Sequence, residues 1–298
     1  MPEIPRAAIR LAARCLPDEP SQEGFLSCIS AGRSAEPALL WFAEGEESPF
    51  DTRSRAPWQP PYVDRLDVTT KAGAHPLHAA GAYYCLDLSS VFAGAWATVL
   101  EREHAYSIID VCASPGGKSL LAMRALPQST LHANETIGKR VGALKENLKR
   151  CGITANVTSM DPKVLADIHG PAFDVVIADV PCSGQSLLAR GIDNPGCFHD
   201  VNVGKNTGRQ RRILAECIRL CKPGAFIAYS TCTYAQSENE GVIEWALSKH
   251  PECSTVEIPL IHAHRSPLSP EFCYRLWPQE GFGAGAFLSL IRVGGDQA

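Results

Sequence analysis

The sequence predicts an α/β fold in which a mostly parallel sheet carries helices on both faces. Three observations lead there. From residue 81 onward, short apolar runs alternate with segments of helical periodicity, the pattern of repeated β-α units. The runs Phe173 to Asp179 and Ala225 to Tyr229 read as buried parallel strands. Residues suited to chemistry stand directly after those runs, at the rim where open α/β sheets gather ligands and reacting groups.

Taken in order, the expected strands are 107–112, 130–135, 154–159, 173–179, 225–230 and 286–293. Helical patterns lie near 117–126, 137–150, 209–221 and 237–249. The β-α-β order implies right-handed crossovers. Ser237-Glu238-Asn239-Glu240 predicts a capping box, and Gly152 after Arg150-Cys151 predicts a helix stop. The Gly-, Asn- and Asp-rich stretch 184–208 is expected to be a long functional or mobile loop. Residues 1–80 are rich in Pro, Ser and charge, with weak periodicity. They are expected to form an irregular or small accessory region ahead of a catalytic domain over 81–298.

Composition bounds the function. The 298 residues are 45% hydrophobic and 20% charged, as in ordinary globular proteins. No apolar stretch approaches the roughly 18 residues of a spanning helix, and the N-terminus lacks the layout of a secretory signal. Arg6, Arg10 and Arg14 fall at helical spacing, as in a mitochondrial presequence, but Glu3 and the absence of Ser or Thr before Ser21 argue against one. The 12 cysteines include no CxxC pair, which favours a reducing, cytoplasmic setting over a disulfide framework. Finger-like ligand spacing is absent too, so no metal is expected. Cys217 and Cys221, four apart on an expected helix, read as one buried stripe. Net charge is −4, and residues 1–80 hold 8 Lys and Arg against 11 Asp and Glu. Any nucleic-acid footprint must therefore be a local patch.

Two thiols stand at the ends of the two buried strands. One is Cys182 in Asp179-Val180-Pro181-Cys182-Ser183-Gly184, the other Cys232 in Tyr229-Ser230-Thr231-Cys232-Thr233. A cysteine becomes a nucleophile when positive charge or a helix N-terminus favours its thiolate. Lys118 is a candidate for that charge, and Asp179 could hydrogen-bond a ring nitrogen of a bound base. The segment Asp110-Val111-Cys112-Ala113-Ser114-Pro115-Gly116-Gly117-Lys118-Ser119 joins a strand to a helix. Its small residues let a ligand approach the backbone closely, near free helix amides. It matches neither a Walker A loop nor GxGxxG. Glu135 ends the next strand, about 20 residues on, where nucleotide folds place an acid on ribose hydroxyls. Asp161 follows a third strand, suited to an adenine edge. Together they outline a pocket for an adenosine-containing cofactor. Lys205, Arg209, Arg211 and Arg212 open a helix beside the 184–208 stretch and are the better RNA candidates. Lys139, Arg140, Lys145, Lys149 and Arg150 read more readily as a solvated face.

At this point the residues resemble the Nop/Sun-type (Fmu) RNA cytosine-5 methyltransferases, over roughly residues 81–293. The landmarks are Gly81-Ala82-Tyr83-Tyr84, Ser89-Ser90, the Cys112–Lys118 loop, Glu135, Arg140, Asn147-Leu148 and Asp161. They continue through Asp179 to Gly184, Lys222-Pro223-Gly224, Tyr229 to Thr233, Glu238-Asn239-Glu240 and Arg275-Leu276-Trp277-Pro278. Leu86, Ser186, Ala225 and Gln279 depart from the family's usual Gln, Gly, Gly and His.

The resemblance implies a Rossmann-like class I methyltransferase with a mostly parallel seven-stranded sheet. It implies S-adenosylmethionine held by Cys112 to Lys118, Glu135, Arg140, Asp161 and Asp179. It also divides the thiols: Cys232 attacks carbon 6 of the cytosine, Asp179 assists protonation at ring nitrogen 3, and Cys182 aids release. Lys118 joins them as a catalytic residue. The target base must be unstacked, so a loop, bulge or flipped nucleotide is expected. Ribosomal RNA or a ribosomal subunit is the expected substrate, with transfer RNA as the alternative and a protein partner for delivery conceivable. A DNA methyltransferase would carry its nucleophile on the Pro-Cys loop instead. A non-catalytic ribosome-assembly factor would not need both thiols.

Overall fold

The computed structural model describes residues 4–43 and 48–294. Helices α1 (Arg6–Cys15) and α2 (Glu19–Ala31) lead into strands β1 (Pro37–Trp41) and β2 (Val63–Arg65). Helix α3 (Pro76–Ala79), strand β3 (Tyr83–Asp87) and helix α4 (Leu88–Phe92) follow. The α/β body then runs β4 (Ser107–Asp110), α5 (Gly117–Ala125), β5 (Thr130–Asn134), α6 (Gly138–Arg150), β6 (Ala155–Thr158) and α7 (Pro162–His169). It continues through β7 (Phe173–Asp179), α8 (Ser186–Ala189), α9 (Asp200–Leu220), β8 (Cys221–Thr231) and α10 (Glu240–Lys249). It closes with β9 (Cys253–Val256), β10 (Cys273–Leu276) and β11 (Ala286–Val293).

The main sheet has the strand order β10-β11-β8-β7-β4-β5-β6, and short β9 pairs with the remaining length of β11. From β8 to β6 every pairing is parallel, while β11 runs antiparallel to β8. This is the expected seven-strand path, with β9 as an eighth strand. Alternate residues of each strand feed opposite cores. Ile108, Val175, Ile177, Ala228 and Leu288 enter one, with Leu120 of α5 and Leu144 and Leu148 of α6. Ile109, Val176, Ala178, Ile227 and Tyr229 enter the other, with Leu165 of α7, Leu214 and Cys217 of α9 and Ile243 of α10. Cover on both faces is why these strands are apolar on both sides of the pleat. It also aligns the carboxyl ends of β4, β5, β7 and β8 on one rim.

Residues before 81 differ from the expectation. They form helices α1, α2 and the short α3, with strands β1 and β2 of a separate antiparallel sheet, β2-β1-β3, that β3 completes. The expected boundary at residue 80 cuts through that sheet, because β3 pairs along its whole length with β1. Helices α1 and α2 give little sequence signal because their buried faces rest on few and mostly small residues. Ala8, Ala12, Phe25 and Ile29 gain their partners from far along the chain, among Ala189, Cys197, Phe198, Tyr234 and Ala284. Phe25 lies edge-on to Tyr234 at 4.9 Å and to Trp277 at 5.6 Å between ring centroids. Just past α2 the backbones of Gly32 and Gly191 touch, and a Cβ on Gly32 would lie 2.6 Å from Gly191 Cα.

Two local expectations also fail. The stretch 184–208 is mostly ordered helix, with α8 inside it and α9 beginning at Asp200. Its glycines and asparagines disguise a helix that His199 caps and that buries Thr207 and Gln210. The capping box does not form: Asn239 precedes α10 without a side-chain cap, and the Glu240 carboxylate turns inward to Arg275 and Ser266. A buried ion pair outcompetes a surface cap. Gly152, with φ +72°, does end α6 as expected. Phe25→Ala should cost about 3–5 kcal/mol in urea unfolding; a loss under about 1 kcal/mol would mean the N-terminal helices are fastened elsewhere.

Candidate active site

The rim is built first from backbone and buried polar groups. After β4 the chain turns through residues 111–116 into α5, whose N-cap, Gly116, has φ +118°. A side chain there would be strained, and no side chain caps the helix, so its first amides remain available to a ligand. The loop is tied to its neighbours. Ala113 N donates to Asn134 O at 2.8 Å, and Asn147 Nδ2 to Pro115 O at 2.9 Å. Arg140 Nη2 donates to Ser114 O at 2.5 Å, while Ser114 Oγ donates to Arg140 O at 3.0 Å. The Cys112 thiol, pushed well above its ordinary value first by burial, is a neutral wall group.

Glu135 lies where an adenosine cofactor would need it. Its Oε1 accepts from Ile137 N at 2.8 Å, and its buried Oε2 has no hydrogen-bond donor. Arg140 Nη1 stands 3.3 Å from that oxygen, close enough for ion pairing though not aligned for a hydrogen bond. An orphaned buried carboxylate oxygen calls for a partner, and a ribose hydroxyl is a fitting one. The residues present therefore fit the expected cofactor. Asp161 sits nearby as the exposed N-cap of α7, its Oδ1 accepting from Lys163 N at 2.9 Å. One of its oxygens is thus already engaged in helix capping.

Sequence reasoning overlooked two residues that hold this rim. Asn134, fully buried, donates to Val111 O and Met160 O and accepts from Met160 N and the Thr158 hydroxyl. Asp110, also fully buried, accepts from Ser119 Oγ at 2.6 Å and Cys112 N at 3.3 Å. Burial pushes its carboxyl up to about 7 despite the Ser119 hydrogen bond. Their only sequence signal was a polar residue ending an apolar strand.

The two thiols meet. Cys182 Sγ and Cys232 Sγ are 3.3 Å apart, Cys232 exposed and Cys182 half-buried. Their loops are stitched together: Ser183 Oγ to Thr233 Oγ1 at 2.7 Å, Ser186 N to Cys232 O at 3.2 Å, and Tyr234 N to Gln185 Oε1 at 3.0 Å. Asp179 lies between the thiols and the cofactor loop. It accepts from Lys118 Nζ at 3.1 Å and Ser230 Oγ at 2.7 Å. Burial alone would lower the Lys118 ammonium, but the Asp179 carboxylate outweighs it and raises the net value. The Cys232 thiol is held below its ordinary value, chiefly by its hydrogen bond with Cys182; burial and the Asp179 carboxylate oppose this, and Ser186 and Lys118 assist. The same contact, with burial, drives Cys182 well upward. Chemically, Cys232 is the more available thiolate and Cys182 the proton holder.

The basic candidates divide. Lys205, Arg209 and Arg212 are exposed at helical spacing on α9. Arg211 leaves the set: it is half-buried, with its guanidinium 5.6 Å from the centre of the Trp245 ring. Of the first cluster, Arg140 of α6 is tied to Ser114 of the loop after β4, and Arg150 is spent on the carbonyls of His78 and Tyr83. Among the described residues no three His, Cys, Asp or Glu side chains cluster as a metal set, and no helix is long and apolar enough to cross a membrane.

The sheet and its rim define a Rossmann-like class I methyltransferase fold. The family model described as 16S rRNA methyltransferase RsmB/F matches residues 97–292, and the chain belongs to that family. Ribosomal RNA small subunit methyltransferase F of Enterobacter sp. is 27% identical over 282 residues, covering 91% of this chain and 54% of the relative. Its counterpart in Citrobacter koseri is 32% identical, covering 78% of this chain and 49% of the relative. The chain thus spans about half the length of the curated relatives it matches. The crystal structure of NSun6 from Pyrococcus horikoshii with SFG superposes with a TM-score of 0.73 at 16% identity, covering 98% of this chain and 99% of that one.

The raised Asp110 carboxyl has a sign. Its folded value of about 7 exceeds its ordinary 3.8, so ionising it weakens the fold as pH rises from about 4 through 7. Asp110→Asn should therefore gain stability relative to the parent between pH 5 and 8 in urea unfolding. A constant difference across that window would show that Asp110 is not buried as a neutral acid.

Proposed function

We propose that this chain methylates carbon 5 of a cytosine in RNA through a covalent Cys232 adduct, with ribosomal RNA of the small subunit as substrate. The observation that carries this reading is the 3.3 Å contact between two thiols of unequal character beside the Lys118–Asp179 pair. S-adenosylmethionine, when bound, would supply the methyl group. The 112–118 loop and the α5 N-terminus would hold it, Glu135 would take its ribose, and Asp161 would lie toward the adenine. Arg140 would act by fixing Glu135 and Ser114. The NSun6 structure, solved with a cofactor analogue, supports that choice.

The residues then divide the work. Cys232 Sγ attacks carbon 6, which makes carbon 5 electron-rich enough to accept a methyl group. Asp179 accepts from Lys118 and Ser230, so the proton moved to ring nitrogen 3 is one that the Lys118 ammonium passes by way of the Asp179 carboxylate, leaving Lys118 to be reprotonated from solvent. Release needs a base near carbon 5; Cys182 can serve once it has given its own S–H proton to solvent, and its thiolate then takes the carbon 5 proton as Cys232 leaves carbon 6. Lys205, Arg209 and Arg212 would grip phosphates. With a net charge of −4, binding to naked RNA should be modest, and a folded ribosomal particle or a partner protein would complete the surface. A cytoplasmic site of action accords with that substrate.

Cys232→Ala should abolish both methyl transfer and adduct, whereas Cys182→Ala should accumulate a protein–RNA adduct stable in denaturant. An adduct persisting in Cys232→Ala would sink the assignment. Replacing Lys205, Arg209 and Arg212 together with Ala should make the plot of log affinity against log salt shallower by about 2–3. An unchanged slope would remove α9 from the RNA surface. Bisulfite mapping of ribosomal RNA from cells lacking the chain would identify the cytosine, and an unaltered map would exclude ribosomal RNA.

A further inference from the structure

Behind Cys182 lies a buried polar cluster that the proposed chemistry does not use. Glu238, fully buried, accepts with Oε2 from Ser183 N at 2.8 Å and from Gln210 Nε2 at 2.8 Å. The same Gln210 nitrogen donates to Pro181 O at 3.0 Å. The two side chains therefore grip the backbone on both sides of Cys182. Each retains an orphaned buried oxygen, Oε1 of Glu238 and Oε1 of Gln210. Unpartnered buried oxygens cost stability, and a fold seeking only rigidity would satisfy them. Gln210 also sits on α9, between the exposed Arg209 and the half-buried Arg211.

We propose that Glu238 is a positioning residue for Cys182, acting with Gln210 to aim its thiol for the release step. The inference deepens the cytosine-5 reading and rests on it. Glu238 touches no reacting atom; it works through the Ser183 amide and, by way of Gln210, the Pro181 carbonyl. Its carboxyl is pushed upward by burial, which the Ser183 and Gln210 hydrogen bonds offset only in part. Because Gln210 belongs to α9, RNA seated on Lys205, Arg209 and Arg212 would press on the same clamp. Cys182 also favours the Cys232 thiolate, but Lys118 and Ser186 favour it independently, and its loop is held by Ser186, Thr231 and Asn239. Loss of the clamp should therefore damage release more than attack.

The test is Glu238→Gln in the full chain. It keeps the side chain's size and can still accept from Ser183 N. Its new amide, however, would draw the free Gln210 oxygen and loosen the hold on Pro181. With RNA substrate and S-adenosylmethionine, the first round of methylation and the cofactor affinity should stay within about twofold of the parent. Steady turnover should fall on the order of 10–100-fold, with a denaturant-stable adduct accumulating. Turnover unchanged, or first-round methylation falling in step with release, would overturn the proposal. Should Glu238→Gln fail to fold, Gln210→Leu probes the same clamp and must shift the balance toward adduct in the same direction. A parent chain that neither methylates nor forms an adduct would instead overturn the cytosine-5 reading, and the two failures are thus distinct.

Discussion

The ion pair between Lys118 and Asp179 is the contact on which the rest of the site depends. It joins the first turn of α5, which faces the cofactor loop, to the end of β7, which delivers Cys182. Both charges are partly withdrawn from water, so each needs the other. Asp179 is also held by Ser230 on β8, the strand that delivers Cys232. One carboxylate therefore ties the cofactor loop and both thiol strands together. Removing either partner would strand a charge at the centre of the rim.

Around that pair the molecule repeats one device: buried polar side chains that bind loop backbone. Asn134 does so for the ends of β4 and β5 and the start of the segment before α7. Gln185 binds Cys197 O and Tyr234 N, linking the two thiol loops to the segment ahead of α9. Arg275 pairs with Glu240 and donates to Tyr234 O from behind. Satisfied networks of this kind specify one arrangement where apolar packing alone would allow several. The N-terminal helices add the apolar counterpart, with Phe25 wedged against Tyr234 and Trp277. The N-terminal region is thus part of the support for the thiol loops.

Much of this is legible in the sequence, for a definite reason. Strands β4, β5, β7 and β8 are largely buried on both faces, so their composition is dictated locally; each of these, and the edge strand β6, lies within a few residues of its expected position. The loop 112–118, Glu135, Asp179 and the two cysteines are legible because small or reactive residues directly after a buried strand land on the rim where ligands gather. The failures share the opposite property. Helix α2 shows little periodicity, and α1, despite arginines at helical spacing, offers mainly alanines to its buried face; their partners lie near residues 189–198, 234 and 284. Strands β9 and β10 stand outside the β-α alternation that the sequence shows, and both pair antiparallel with the distant β11. Arg211 shares the charge of its neighbours, yet helix geometry turns it toward Trp245.

By itself, the sequence determined the fold class, the places of the parallel strands along the chain and which candidate residues follow them. Those follow from burial and spacing along the chain. Tertiary structure alone decided that Cys182 and Cys232 touch, that Asp179 is shared between Lys118 and Ser230, and that Glu238 and Gln210 flank Cys182. Each is a contact between residues about 30 to 60 positions apart. Their distances are set by how neighbouring strands and helices pack, which no local pattern encodes. The unequal character of the two thiols arises chiefly at that contact, because a hydrogen bond between sulfurs favours charge on one and a proton on the other.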